Sequence, residues 1–437
     1  MTARRPRTVA IDALVRVEDG AYSNVLVPAL LRRSGMEQRE RAQTTELVYG
    51  TLRRRRSLDA LLAPVLDRDL DDVDAPVRAA LRLGTYQLVE GVPAHAAVGE
   101  TVGALAVSTP RAKGYANAVL RRVASLGPPW PWPSGDSVTA VGIRTSMPDW
   151  VVERLFADLG VEDATAALAH ANEPAALTLR VNPRRADAAA VAAELTDAGA
   201  AVERGALVED ALIVRGAGDP AAIPAVRDGR ATPQDQASQA VASAVDARAG
   251  ERVLEVGAAP GGKATALAEA MGDIGSVVAV DVHPGRLGLV TRAARRLRLT
   301  SVAPVGADGR RLPLVAGSFD RVLVDAPCSG LGVLRRRPEA RWRIEPDAVE
   351  LLAGLQRELL TTAATMVRPG GRLVYSVCTL TRAETLGVDE WAAASLPGFL
   401  AEPPPPAPWR ALGRGARLLP QEAGTDGMYL LTLTRPA

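Results

Sequence analysis

The chain has 437 residues, 47% of them hydrophobic and 23% charged, with a formal net charge of +2. This composition excludes a disordered chain, and the length predicts two to three domains that each bury a core. Two cysteines and three histidines without ligand spacing exclude a disulfide framework and a metal site. No apolar run is long enough for a membrane helix, and the basic segment Met1–Arg7 leads into charged residues, unlike a secretory signal. The expected compartment is the cytoplasm.

The first three regions differ in pattern. Residues 1–127 carry helical apolar spacing, for example at Ile11, Leu14 and Val15, and predict an all-helical domain. Residues 128–144, rich in Pro and Trp, predict a linker. Residues 145–230 mix both patterns and predict a small α/β module. Its predicted elements are a helix at Trp150–Leu159, a strand at Ala176–Val181, a helix at Ala186–Ala198 and a strand at Ala211–Val214.

Residues 231–437 alternate strands with helices. The predicted strands are Arg252–Val256, Ser276–Val282, Ser301–Val305, Arg321–Val324, Arg372–Val377 and Tyr429–Thr434, and the predicted helices are Lys263–Met271, Pro284–Arg298 and Asp347–Met366. Such alternation predicts a doubly wound, mostly parallel sheet of the Rossmann-like type. Ligands bind such sheets beyond the carboxyl ends of the strands.

A glycine-rich loop follows the first strand of this sheet and opens a helix. It reads Gly257, Ala258, Ala259, Pro260, Gly261, Gly262 and Lys263. Small residues let a ligand approach the backbone, and the helix start offers free N–H groups. The spacing fits neither a P-loop nor G-x-G-x-x-G, because Ala259 replaces the second glycine, so a nicotinamide enzyme is disfavoured. Lys263 is one of two lysines among 52 basic residues, which argues against a purely structural turn.

Two acids end the next two predicted strands. Asp281 is spaced as the acid that contacts ribose hydroxyls in doubly wound folds, and Asp308 could meet an adenine amino group. Together they suggest an adenosine-containing cofactor, although a solvated turn remains the alternative for each.

Both cysteines lie at the ends of strands that we expect to be neighbours. Cys328 stands in the segment Asp325–Gly332, and Cys378 in Val374–Leu380. Two thiols beside such a cofactor suit methylation of cytosine: one thiolate adds to C6, so that C5 can take the methyl group. A second group must then assist loss of the C5 proton, and an acid near N3, for which Asp325 is placed, stabilises charge in the ring. The alternative is that both are structural cysteines.

These segments resemble the RsmB/Sun type of RNA 5-methylcytosine methyltransferases, within the wider Nop/Sun family. The likeness rests on the loop Ala258–Lys263, on Asp281, Asp308 and Asp325–Gly332, and on Tyr375–Cys378. It extends to Gln234–Ser238, Asp426–Tyr429, Leu179–Pro183, Glu46–Gly50 and Gly114–Arg122, and so to nearly the whole chain.

The resemblance implies S-adenosylmethionine as donor and a cytosine of 16S ribosomal RNA as target. It implies Cys378 as nucleophile, Cys328 as the group that assists proton removal and release, and Asp325 as a contact to cofactor or base. It also implies a NusB-like first domain and an RNA-binding second module. Two residues depart from the usual pattern, Val377 before the nucleophile and Ala264 after the lysine.

Alternatives remain open at this level. The substrate could be another RNA such as tRNA, or the chain could be a non-catalytic RNA-binding assembly factor. A DNA cytosine methyltransferase would leave Cys378 without a role, and a nicotinamide oxidoreductase would not bind S-adenosylmethionine. We expect RNA as the partner, no DNA, no membrane, and a monomer.

RNA contacts are harder to predict than the catalytic site. Arg53–Arg56 could contact phosphates or form a solvated face, and so could Lys113 with its basic neighbours Arg111, Arg121 and Arg122. Trp130 and Trp132 could stack on bases, although packing of the linker is the simpler reading.

Overall fold

The computed structural model describes residues 5–437 and forms two compact units. Unit 1 consists of the chain up to Pro174 together with Leu334–Ile344, and unit 2 of Ala175–Val333 and Glu345–Ala437. The first four residues, part of the predicted basic N-terminal segment, lie outside the described residues. The finer division at residues 127, 144 and 230 stays a prediction.

Unit 1 is helical, as the apolar spacing predicted. Its helices are α1 (Pro6–Glu18), α2 (Ser23–Arg32), α3 (Gln38–Arg53), α4 (Arg55–Leu62), α5 (Ala75–Val89), α6 (Ala94–Leu105), α7 (Lys113–Ala124), α8 (Val138–Thr145), α9 (Asp149–Leu159) and α10 (Val161–His170). Leu58, Leu81 and Leu120 are fully buried in one apolar core formed by α1 to α7. Trp130 packs against this core, which supports the packing interpretation for that residue.

Unit 1 also includes an eleven-residue segment from the second half of the chain, Leu334–Ile344. The guanidinium of Arg341 in this segment is fully buried and donates to the backbone oxygens of Arg53, Ser146 and Ala171 at 3.1–3.2 Å. These carbonyls lie at the C-terminal ends of α3, α8 and α10, where helix dipoles favour a cation. Burial nevertheless lowers the pKa of Arg341 to about 9.

The arginine run of unit 1 contributes to its interior. The side chain of Arg53 is 8% exposed, and Arg56 donates to Met147 O at 2.5 Å and to Asp149 Oδ1 at 2.6 Å. Arg53 and Arg56 therefore form neither the solvated face nor the RNA contact that the sequence suggested for this run. Arg53 ends α3, Arg54 lies between the helices, and Arg55 and Arg56 begin α4, so the four side chains leave the backbone in different directions.

Unit 2 begins with a small antiparallel sheet of strand order β2-β3-β1-β4. Its elements are β1 (Leu177–Val181), α11 (Ala188–Asp197), β2 (Ala201–Arg204), β3 (Ala211–Arg215), α12 (Pro224–Arg227) and β4 (Ala231–Pro233). Leu179, Val191 and Leu212 form its buried core. The two predicted strands and the predicted helix are present; β2, which is mostly exposed, and the three-residue β4 were not predicted.

The large sheet follows. Its elements are α13 (Gln236–Ala244), β5 (Arg252–Val256), α14 (Gly262–Ala270), β6 (Ser276–Asp281), α15 (Pro284–Leu297), β7 (Val302–Gly306), β8 (Phe319–Asp325), α16 (Ala348–Met366), β9 (Val367–Val377), α17 (Leu386–Ser395), β10 (Leu400–Ala401), β11 (Arg410–Leu412), β12 (Gly415–Leu418), α18 (Pro420–Ala423) and β13 (Met428–Thr434). The strand order is β11-β12-β13-β9-β8-β5-β6-β7, with β10 paired to β13. The five strands from β9 to β7 are parallel, and those beyond β9 are antiparallel.

Helices cover both faces of this sheet. On one face α13, α14 and α15 bury residues such as Val241, Leu267 and Val290, and on the other α16 buries Leu359 and Leu360. The doubly wound, mostly parallel fold is therefore confirmed.

Among residues 5–437 no helix combines the length and apolar character that a membrane span requires. The same residues contain no cluster of three or more His, Cys, Asp or Glu side chains suited to a metal ion.

Candidate active site

The predicted site residues lie at the carboxyl ends of five adjacent parallel strands. Gly257 follows β5, Asp281 ends β6 and Asp325 ends β8. Cys378 directly follows β9, whose Ser376 pairs with Asp325. The order β9-β8-β5-β6-β7 therefore places the two cysteine segments on one side of the glycine-rich loop and Asp281 on the other.

The glycine-rich loop makes a close turn between β5 and α14. Gly257 has φ +84°, and a Cβ there would lie 2.1 Å from Asp325 O, so only glycine fits. Ala259 N donates to Asp281 Oδ2 at 3.2 Å, which ties the loop to the end of β6. Lys263 lies in the first turn of α14. The loop residues Gly257, Ala258, Ala259, Pro260, Gly261, Gly262 and Lys263 thus form one continuous turn, as the sequence predicted.

Arg180 of β1 fixes the start of α14. Its guanidinium donates to Gly262 O at 2.7 Å, to Thr265 Oγ1 at 3.0 Å and to Glu269 Oε2 at 2.8 Å. The sequence interpretation assigned this segment to the small module only. The sequence contained one indication of this contact with α14, an arginine inside an otherwise apolar strand.

Lys263 and Asp325 form the central ion pair, with Nζ and Oδ2 2.8 Å apart. Burial lowers the pKa of Lys263, but the neighbouring charges, first of all Asp325 and then Glu255 and Cys378, raise it above its usual value. Lys263 is therefore a cation held at the junction of the loop and the cysteine segments.

Glu255 is a buried carboxyl beside this pair that the sequence interpretation did not single out. It is 1% exposed, and neither carboxyl oxygen has a hydrogen-bond partner among residues 5–437. Burial, followed by the charge of Asp325, raises its pKa well above the usual value. The sequence contained one indication that Glu255 is a site residue, because it is an acid inside an apolar strand.

Asp281 and Asp308 have different surroundings. The Asp281 carboxylate is buried and accepts hydrogen bonds from Ala259 N and from His283 N. Asp308 lies beyond β7, where Arg310 contacts both of its oxygens, with Nε to Oδ1 at 3.0 Å and Nη2 to Oδ2 at 2.8 Å. The hydrogen bonds from Arg310 lower the pKa of Asp308 to about 2. The His283 side chain is exposed, as expected for a turn.

The two cysteine sulfurs lie 3.2 Å apart, within hydrogen-bonding distance. Two backbone bonds join their segments: Ala326 N donates to Ser376 O at 3.1 Å, and Gly332 N donates to Cys378 O at 3.0 Å. Both thiols are free and partly exposed.

The two thiols have different electrostatic surroundings. The hydrogen bond to Cys378, burial and the charge of Cys378, with a further contribution from Glu384, raise the pKa of Cys328 well above its usual value. Cys378 is within electrostatic range of the Lys263 ammonium. The arrangement therefore favours the protonated form of Cys328, whose thiol lies within hydrogen-bonding distance of the Cys378 sulfur.

The second basic cluster of unit 1 is exposed. Lys113, Arg121 and Arg122 are exposed on α7, and Arg111 is exposed two residues before it. Exposure fits both interpretations, an RNA contact and a solvated face, so the RNA contact stays a prediction.

Comparison with known proteins gives matches over nearly the whole chain. The family model described as 16S rRNA methyltransferase RsmB/F matches residues 242–434. The NusB family model matches residues 4–125, and an RsmF/B-like ferredoxin-like domain matches residues 147–220.

Curated relatives and solved structures agree with these matches. The probable ribosomal RNA small subunit methyltransferase B of Bacillus subtilis is 35% identical, covering 98% of each chain. The ribosomal RNA small subunit methyltransferase B of Thermus thermophilus is 36% identical, covering 100% of this chain and 99% of its own. The crystal structure of PH0851 superimposes with a TM-score of 0.84 at 25% identity, over 99% of both chains. A methyltransferase homologue from Pyrococcus horikoshii gives a TM-score of 0.61 at 25% identity, over 69% of this chain and 100% of its own.

Proposed function

Because the chain belongs to the 16S rRNA methyltransferase RsmB/F family, whose cofactor is S-adenosylmethionine, we propose that it methylates C5 of a cytosine in 16S ribosomal RNA. The observation that carries this proposal is the contact of 3.2 Å between Cys328 and Cys378 beside the Lys263–Asp325 ion pair. A methyltransferase that acts on a nucleophilic oxygen or nitrogen has no need of two thiols at this place. We place the reaction in the cytoplasm, with RNA as the partner.

The residues at the strand ends fit the cofactor, which carries a sulfonium, an ammonium group and ribose hydroxyls. The unpartnered carboxyl of Glu255 can take part in a hydrogen bond with a polar ligand group. We assign the loop Gly257–Lys263 together with Asp281 and Asp308 to cofactor binding. Asp325, held by Lys263, is assigned to the boundary between cofactor and base. When bound, the cofactor supplies an electrophilic methyl group.

The chain's own residues account for activation of the base. The Cys378 thiolate attacks C6, and the electron pair of the C5–C6 double bond moves into the ring and makes C5 nucleophilic. We assign Asp325 to the N3 edge together with the Lys263 ammonium that it holds there, and the ammonium stabilises the negative charge that develops in the ring. The target base must leave any stack to reach the thiols.

Formation of the Cys378–C6 bond changes the state of Cys328. Cys378 then carries no charge and no longer accepts a strong hydrogen bond, so the largest influence on the pKa of Cys328 disappears. Cys328 can then release its proton to solvent. After methyl transfer its thiolate takes the C5 proton, the C5–C6 double bond reforms, and Cys378 leaves as a thiolate.

The experiment combines product analysis with a nucleophile variant. Purified protein, S-adenosylmethionine and unmodified 16S RNA should yield 5-methylcytidine in nuclease digests analysed by mass spectrometry. Cys378→Ala should lower kcat by about 10³-fold or more, because no other group can form the C6 bond. Its affinity for S-adenosylmethionine should stay unchanged in equilibrium binding.

Two results would contradict the proposal. One is methylation at a position other than cytosine C5. The other is a Cys378→Ala variant with wild-type kcat.

A further inference from the structure

A buried hydrogen-bond network lies directly behind the two cysteines, and its centre is Glu384. Glu384 is 0% exposed and stands in the loop between β9 and α17. Its Oε1 accepts from Ser329 N at 2.8 Å and from Gln356 Nε2 at 3.1 Å. Its Oε2 accepts from Ser329 Oγ at 2.5 Å and from Thr381 Oγ1 at 2.8 Å. Four donors around one carboxyl are the environment of an ionised carboxylate.

This network joins the loops that carry the two cysteines. Ser329 follows Cys328 directly, and its Oγ also lies 2.7 Å from the hydroxyl of Thr379, the residue after Cys378. Glu384 therefore holds both loops through a single side chain, six residues after Cys378 in the chain.

Helix α16 and strand β9 support the same carboxylate from behind. Gln356 of α16 donates to Pro327 O at 2.9 Å as well as to Glu384. The Tyr375 hydroxyl lies 2.9 Å from Gln356 Oε1 and 2.7 Å from Glu384 O, the two acceptors for its single proton. Gln356, Tyr375 and Glu384 are buried, so the position of the carboxylate is determined by packing and by hydrogen bonds together.

Glu384 and Lys263 bring opposite charges near the two thiols. The charge of Glu384 is one of the influences that raise the pKa of Cys328, after the contact with Cys378 and burial. Lys263 is paired with Asp325 and lies within electrostatic range of Cys378. The two thiols, 3.2 Å apart, thus differ in the charge for which an influence is found, a buried anion for Cys328 and a buried cation for Cys378.

We propose that Glu384 is a positioning residue of the methyl-transfer site: its carboxylate fixes the two cysteine loops against each other, and its negative charge disfavours loss of the proton from Cys328. This inference rests on the proposed function, because it explains why one of two adjacent thiols is the nucleophile. Glu384 reaches the reacting atoms only through Ser329 and the loops that it holds.

The variant Glu384→Gln isolates the charge from the positioning. The glutamine oxygen can replace Oε1, and the hydroxyls of Ser329 and Thr381 can rotate to accept from its amide nitrogen, so the network stays satisfied. The exposed Glu390→Gln on α17 is the matched control, since it removes an equivalent charge from the same part of the chain.

The readout is competition between the two thiols for iodoacetamide, without RNA, at pH 7.5. Because the chain contains only two cysteines, peptide mass spectrometry measures both alkylation rates in one sample. Wild type and Glu390→Gln should label Cys378 faster than Cys328. In Glu384→Gln the ratio of Cys328 to Cys378 labelling should rise several-fold, because a negative charge that disfavours the Cys328 thiolate is gone. An unchanged ratio in folded Glu384→Gln would overturn the assigned role of the charge.

Ser329→Ala tests the positioning while the charge remains. It removes the hydroxyl that links Glu384 to Thr379, so kcat should fall at least about tenfold with the affinity for S-adenosylmethionine and the labelling ratio unchanged. Wild-type kcat in this variant would overturn the positioning role. The Ser329→Ala variant also tests the inference if Glu384→Gln does not fold.

The two proposals fail in different ways. If wild type does not methylate cytosine but Glu384→Gln changes the labelling ratio, the proposed function fails and the electrostatic arrangement stands. If wild type methylates cytosine and both variants behave as wild type, the inference fails and the proposed function stands.

Discussion

Two glutamates of unit 2, Glu255 and Glu384, are almost equally buried but differ in their hydrogen bonds. Glu384, on the cysteine side, accepts four hydrogen bonds, whereas Glu255, on the cofactor side, accepts none from residues 5–437. Burial therefore does not decide how a carboxyl is stabilised; the donors around it do. Glu384 is satisfied by the protein's own groups, whereas the carboxyl of Glu255 is open to a polar group of a ligand.

This comparison predicts how the two sides respond to substitution. A change on the cysteine side should alter chemistry and leave cofactor affinity unchanged, as expected for Cys378→Ala and Ser329→Ala. A change on the cofactor side should alter cofactor affinity or the pH dependence of stability.

The largest expected effect on the cofactor side comes from Asp281→Ala. This change removes the carboxylate that accepts from Ala259 N and fixes the loop, and that we assign to ribose hydroxyls. Hydrogen bonds to a charged group contribute about 1.5–3 kcal/mol, so the Kd for S-adenosylmethionine should rise about 10- to 150-fold. Isothermal titration calorimetry measures it, with the exposed Asp197→Ala of α11 as control. An unchanged Kd would remove Asp281 from the cofactor site.

A smaller effect is expected from Glu255→Gln. The pKa of Glu255 is raised in the folded state, so folded protein binds a proton that the unfolded chain releases above its usual pKa of about 4.5. Stability should therefore fall as pH rises from about 4.5 towards the raised value. Glu255→Gln carries no such proton and should escape this loss.

The measurement for Glu255 is the thermal unfolding midpoint of unit 2 at both pH values. The midpoint difference between Glu255→Gln and wild type should increase from pH 5 to pH 6 in favour of the variant. A difference that does not depend on pH would mean that Glu255 is ionised in the folded protein, and the contrast with Glu384 would be lost.

The sequence predicted most of the catalytic sheet, because buried parallel strands produce apolar runs and polar ligand residues follow directly at their ends. It predicted Gly257, Asp281, Asp325 and both cysteines for this reason. It did not single out Glu384, because a buried acid in a loop has the same local pattern as a solvated one. Its role depends on Gln356 and Ser329, which the fold brings from other elements.

Leu334–Ile344 shows the same limit in unit 1. Its run of arginines and single glutamate has the composition of a surface loop, yet Arg341 is fully buried. Its acceptors are helix-end carbonyls, which no sequence pattern identifies before the helices are packed together.

The central claim is that Cys378 forms the bond to cytosine and that Cys328 is needed to break it. The most direct measurement is a denaturing gel of Cys328→Ala incubated with S-adenosylmethionine and unmodified 16S RNA. The account predicts a covalent protein–RNA band that is absent from Cys328→Ala/Cys378→Ala. Normal turnover by Cys328→Ala without such a band would contradict the account. A band that persists in Cys328→Ala/Cys378→Ala would contradict it as well.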